Sequence, residues 1–172
     1  VNFGDVKDDD YFAAAVKWAV EKNVTTGTSA TTFSPNDTCT RAQIITFMWR
    51  ANGSPKIDGA APFGDVTEND YYYEAAKWAA EKGMVETDNF DGNTPCTRAS
   101  TVVYMWQAKD EPAADTELAS FDDVSENAAY AEAVAWAVEN GVTSGTSATT
   151  FSPDDICSRG QIVTFLNRAL AE

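Results

Sequence analysis

Phe12, Ala15, Val16 and Ala19 stand at i, i+3, i+4 and i+7, the spacing of one apolar stripe on an α-helix. Asp8, Asp9 and Asp10 precede the stripe, a placement that suits the positive end of a helix dipole. It closes near Asn23, and Gly83 and Gly141 occupy the equivalent places further on, residues suited to the left-handed conformation that ends a helix. A second stripe, Ile44, Phe47, Met48 and Ala51, is answered by Ile162, Phe165, Leu166 and Ala169. Thr40 with Gln43, and Ser158 with Gln161, form capping boxes at its start, while Thr97 with Ser100 forms a weaker one. Ile45 and Trp49 widen the second stripe to nearly the whole circumference, which predicts that this helix lies inside a bundle. The fold class expected is all-α, built of helix–loop–helix units.

The pattern recurs three times. Phe3-Gly4-Asp5-Val6, Phe63-Gly64-Asp65-Val66 and Phe121-Asp122-Asp123-Val124 begin units 60 and 58 residues apart, and Trp18, Trp78 and Trp136 follow each Phe by 15 residues. The nonapeptide GTSATTFSP is present at 27–35 and again at 145–153. In the middle unit Phe90, Cys96 and Arg98 all fall three residues early, so one deletion in the loop accounts for every offset. The units span 1–53, 63–108 and 121–172, joined by linkers at 54–62 and 109–120 that are rich in Pro, Gly, Ala and Asp. Repeats of this length generally cannot bury an apolar face alone, so the three are expected to pack into one compact body.

Composition narrows the function. With 44% hydrophobic residues the chain is a folded one, and no stretch approaches the roughly 20 apolar residues that span a bilayer, so no membrane insertion is expected. A net charge of −15 argues against nucleic acid as a partner. Histidine is absent, which excludes a Ser/His/Asp or Cys/His hydrolase, and the acidic residues single out no pair for glycoside hydrolysis; no enzymatic activity is expected. The chain opens on Val1, Asn2 and Phe3, as a piece of a longer or processed protein does.

The sharpest chemical signal is Arg41, Arg98 and Arg159, each one residue after a capping residue. A cation on the first turn of a helix opposes the dipole and calls for a reason. One is three anion sites, in which unpaired helix N–H groups and a guanidinium fork receive a carboxylate or phosphate. The other is an internal salt bridge to Asp5, Asp65 and Asp123 or to another acid. Trp18, Trp78 and Trp136 read as core; Tyr11 and Tyr71 are the better candidates for stacking on a sugar, with Ala129 in that place in the third unit. Cys39, Cys96 and Cys157 read as buried free thiols rather than zinc ligands. Asp88, Asn89, Asp91 and Gly92 read as a turn that lacks the full pattern of a calcium loop; no metal and no cofactor is expected.

With F-x-D-V, A-V-x-W-A, G-T-x-x-T-F-S-P and Thr40-Arg41-Ala42-Gln43 in hand, the chain resembles three tandem S-layer homology domains. Their diagnostic Thr-Arg-Ala-Glu/Gln motif is altered here to Thr97-Arg98-Ala99-Ser100 and Ser158-Arg159-Gly160-Gln161. The resemblance implies a pseudo-threefold, three-pronged spindle of helices on the bacterial cell surface, fused to a larger surface protein. It implies grooves between repeats that bind an anionic secondary cell-wall polysaccharide, in many members through a pyruvylated N-acetylmannosamine terminus. The motif arginine is one ligand of its carboxylate. By the same analogy Gly27 and Gly145 turn the chain into the groove, and the hydroxyl residues after them, Thr28 and Thr146 first, meet sugar oxygens. Asp5, Asp65 and Asp123 complete the candidate site. Where related loops carry Lys or Arg before the Pro, this chain has Ser34 and Ser152, so the loops of repeats one and three lack a second cation, and the shortened middle loop predicts an unequal groove. The alternative is a protein-interaction module that assembles a surface layer or engages a host protein through its acidic face.

Overall fold

The computed structural model describes residues 2–115 and 121–171. Among the described residues there are six helices: α1 (Ala13–Glu21), α2 (Arg41–Ala51), α3 (Tyr73–Glu81), α4 (Arg98–Ala108), α5 (Ala131–Glu139) and α6 (Arg159–Leu170). The later part of the second linker, 116–120, and the outermost residues of the first and third units, 1 and 172, lie outside the described residues.

The second helix of each unit is central. α2, α4 and α6 touch one another, and each carries one outer helix: α3 on α2, α5 on α4 and α1 on α6. Each unit's first helix therefore docks on the second helix of the unit before it, and the last helix of the chain receives the first. The near-continuous burial of Ile44 to Met48 follows from this inner position. At the centre, three backbone hydrogen bonds close a ring: Cys39 N–H donates to the Cys157 carbonyl (3.1 Å), Cys96 N–H to Cys39 (2.9 Å) and Cys157 N–H to Cys96 (2.8 Å). The three thiols are free and buried. The Cys39 side chain and then burial push the Cys96 thiol far up, and burial pushes Cys157 up to about 11, so these are packing groups and not nucleophiles.

Local details follow the sequence with three differences. Asn23, Gly83 and Gly141 hold left-handed φ of 58°, 69° and 68° just past the outer helices. All three capping boxes are complete. In α4 the Ser100 hydroxyl reaches the Thr97 N–H (2.9 Å) as Gln does elsewhere, so the middle box is a full one. The second difference is at α1. It begins at Ala13 with no acid in its first turn, because Asp10 is used in the preceding turn, where it accepts from Lys7 N–H (2.8 Å). Trp78 and Trp136 are core, whereas Trp18 is only half-buried.

The linkers are fastened to the helices they cross. The Trp49 and Trp106 indoles donate to the Pro55 and Pro112 carbonyls, both at 2.9 Å. Lys77 on α3 donates to the Ile57 carbonyl (2.9 Å) and the Gly59 carbonyl (3.2 Å), and Ala61 N–H reaches the Tyr73 hydroxyl (3.4 Å).

Candidate functional site

The long loop of each unit is built around a phenylalanine with no exposed surface: Phe33, Phe90 or Phe151. The aspartate of the unit's opening motif holds it. Asp5 accepts from the N–H groups of Phe33 (2.9 Å) and Ser34 (2.8 Å), Asp65 from Phe90 (2.7 Å) and Asp91 (2.9 Å), and Asp123 from Phe151 and Ser152 (both 2.8 Å). All three carboxyls are held below their usual range. For Asp65 and Asp123 the leading cause is the N–H of Phe90 or Phe151; for Asp5 burial opposes ionisation most, and the Phe33 and Ser34 N–H groups outweigh it.

Gly27 and Gly145 sit at φ of 88° and 94°. A Cβ on Gly27 would fall 2.5 Å from both the Phe3 ring and the Thr32 carbonyl, and one on Gly145 2.6 Å from the Thr150 carbonyl, so only glycine fits. The hydroxyls that follow turn onto their own loop. Thr28 lies 2.6 Å from the Ser34 hydroxyl and 3.0 Å from that of Thr32, and Thr146 repeats both contacts with Ser152 and Thr150.

The arginines reach across unit boundaries. Arg159 Nε donates to the Phe33 carbonyl (2.9 Å) and Arg98 Nε to the Phe151 carbonyl (2.8 Å). Arg41 Nη1 donates to the Phe90 carbonyl (2.6 Å) and its Nε to the Tyr104 hydroxyl (2.9 Å). The Arg159 guanidinium lies 4.9 Å from the Phe33 ring centre and 5.3 Å from that of Phe47; Arg98 lies 5.0 and 5.4 Å from Phe151 and Phe165. Carbonyl and ring contacts thus offset the unfavourable dipole. Burial pulls both guanidinium pKa values down. No ion pair among the described residues involves any of the three, so the salt-bridge reading of Asp5, Asp65 and Asp123 does not hold.

The helix N-termini differ from the expectation of unpaired N–H groups. Arg41 and Ala42 donate to the Thr94 and Gly92 carbonyls, Arg98 and Ala99 to Asp155 and Pro153, and Arg159 and Gly160 to Asp37 and Pro35. The third N–H of each helix goes to its cap. The loop of a neighbouring unit saturates these donors, which leaves side chains as the means of holding an anion.

Arg98 opens onto a cavity of about 340 Å³ to which all three units contribute. Tyr11, 65% exposed, comes from the first, Arg98 from the second, and Thr143, Gly145, Gln161 and Arg168 from the third. No acid lines it, in a chain with 27 acids and 12 basic residues. Arg168 is held at the wall by its Nη1, which donates to the Val142 carbonyl (3.2 Å), and Thr143 is tied to Arg98 Nη2 (3.3 Å). In the equivalent positions beside Arg159 stand Tyr71, Thr25, Gly27, Gln43 and Arg50, whose Nη1 donates to Val24 (3.1 Å). Tyr71 feels Arg159 directly: burial raises its phenol pKa, against the Thr40 hydroxyl and the Arg159 charge. Beside Arg41 the set is broken: Ala129 replaces the tyrosine, Val85 the threonine and Gln107 the second arginine, and Glu86 stands where Ser144 does.

The structure therefore brings Tyr11, Arg98 and Gly145 to one cavity and leaves Thr146 and Asp123 off its lining. Sequence reasoning missed Arg50 and Arg168, which give these grooves a second cation although the loops carry Ser34 and Ser152. The signal was present: arginine recurs eleven residues after the cysteine in the first and third units, and Gln107 takes its place in the second.

Comparison with known proteins gives the family. The chain is 25% identical over 171 residues to the exoglucanase XynX of Acetivibrio thermocellus, covering 94% of this chain and 15% of that protein. It is 30% identical over 114 residues to a cell surface protein of Thermoanaerobacter kivui, covering 62% of this chain and 15% of the other. An endoglucanase of a Bacillus species is 39% identical over 83 residues, 48% of this chain and 9% of the enzyme. The chain thus spans only a small part of the length of these relatives. The S-layer homology domain profile matches it three times in tandem, at residues 2–45, 62–101 and 120–163, so the chain belongs to the S-layer homology family and is a cell-surface module of three repeats.

Proposed function

We propose that this module is a non-catalytic anchor that holds an attached protein on the bacterial cell wall by binding anionic wall polysaccharide. The observation that carries the reading is the Arg98 cavity: two guanidiniums, an exposed tyrosine and hydroxyls converge on open space, with no carboxylate of the chain on its walls. A site of this kind matches a sugar that bears a carboxylate, with Tyr11 stacking on the ring, Arg98 and Arg168 facing the charge, and Gln161 and Thr164 at the floor. A pyruvate ketal on a terminal N-acetylmannosamine has that form.

Two of the three grooves carry the full set, those of Arg98 and Arg159. The Arg41 groove does not bind, because Ala129 and Gln107 stand where the others have a tyrosine and a second arginine, the Arg41 Nε is taken by the Tyr104 hydroxyl, and Glu86 adds a like charge to the ligand's. Engaging two grooves on one polymer raises avidity by about 10² or more over either alone. Catalysis, where the parent protein has any, belongs to another domain; three of its relatives carry the names of glucanases and a xylanase.

The test is co-sedimentation of the chain with purified cell walls, before and after mild acid removal of ketal-linked pyruvate. Binding that is lost with the pyruvate supports the full reading. Binding to walls that survives both pyruvate removal and loss of every other wall anion overturns it.

A further inference from the structure

The outer face of α1 carries an open groove of about 720 Å³, lined by Phe3, Val6, Val16 and Val20 together with Lys7, Asp8, Lys17 and Glu21. Its counterpart on α3 is filled. On α3 the linker ahead of Phe63 lies across the helix, and Lys77, only 8% exposed, donates to the Ile57 and Gly59 carbonyls. On α5 the described part of the second linker approaches the helix: Ala114 packs against the core and its N–H reaches Glu132 (3.4 Å). Lys17 occupies the position of Lys77 but is exposed, and Trp18 is half-buried where Trp78 and Trp136 are 2% and 5% exposed. Ala13 replaces Tyr73, which widens the seat.

From this internal precedent we infer that the α1 groove is a docking seat for the peptide segment that leads into this module in a longer chain. The segment is extended and linker-like, offers two main-chain carbonyls to the Lys17 ammonium, and covers the apolar strip of Phe3, Val6, Val16 and Val20. A joint seated in this way gives the preceding domain a fixed exit from the module, as the 54–62 segment fixes one unit on the next. This inference is independent of wall binding.

The test grafts the precedent. Residues 54–60 (Ser-Pro-Lys-Ile-Asp-Gly-Ala) are placed ahead of Val1, in register with their own position before Ala61, and a scrambled extension serves as control. Acylation of each lysine is followed by mass spectrometry, with Lys77 as the covered standard and Lys22 as the exposed one. The expected result is a several-fold slower reaction at Lys17 with the native-order extension only, together with a higher Tm that the Lys17→Ala change removes. Equal reactivity of Lys17 in all three chains overturns the inference. So does protection of Lys17 in the unextended chain that grows with concentration, since a second copy would then be the occupant.

Discussion

Gly27 illustrates how a residue with no side chain sets the loop. Its φ of 88° and the lack of room beside Phe3 and Thr32 mean that Gly27→Ala should lower stability by about 1–3 kcal/mol, measured by urea unfolding, with Gly145→Ala equal to it within error. The opening aspartates set a pH dependence. Their carboxyl pKa values are lower folded than the ordinary 3.8, so the stability they add is fully present above that value. It is lost as pH falls through the folded values, and Asp65→Asn should flatten acid unfolding below about pH 4 while lowering stability at neutral pH. The glycines were legible as turn residues, because left-handed backbone is a local property. The aspartates' role was not: Asp5 bonds to backbone 28 and 29 residues away, and no spacing announces that.

The elements show the same division. Capping boxes lie within four residues and were readable, so Thr40→Ala and Thr97→Ala should each cost about 1 kcal/mol, by thermal or chemical denaturation, despite Ser100 standing where Gln43 does. Helix identity and burial of the second helix also followed from the stripe. Which helix packs on which did not, since α3 on α2 and α1 on α6 result from closure of three units around the cysteine ring. The same closure saturates the helix N-termini with a neighbour's carbonyls, which removed the backbone from the candidate anion site. It also explains Gly160 in the third motif. Its added Cβ would lie 3.0 Å from Phe12 and 3.2 Å from the Pro35 carbonyl, so Gly160→Ala should destabilise the α1–α6 joint by about 1–3 kcal/mol, seen as a lower Tm.

At the scale of the whole molecule, three units with the same fold carry two complete grooves and one degenerate one. The middle unit supplies most of the departures, with Val85, Glu86, Gln107 and a loop three residues short, and the third unit supplies Ala129. Its Arg98, however, completes the groove of the third unit, so loss of binding in one unit does not follow unit boundaries. Charge acts in the same sense. The net −15 repels a polyanion overall, and local pairs of arginines, Arg98 with Arg168 and Arg159 with Arg50, must overcome it. Added salt should therefore weaken binding less steeply than for a basic polyanion binder, measured as the slope of affinity against ionic strength.

The most direct test copies the residues of the Arg41 groove into the other two grooves and measures cell-wall binding. Tyr11→Ala with Arg168→Gln, and Tyr71→Ala with Arg50→Gln, should each lower the affinity about tenfold or more, and the four changes together should abolish binding while the chain stays folded. Arg41→Lys should leave binding unchanged. Full binding by the fourfold variant, or a loss on Arg41→Lys as large as that from either pair, would contradict the two-groove account.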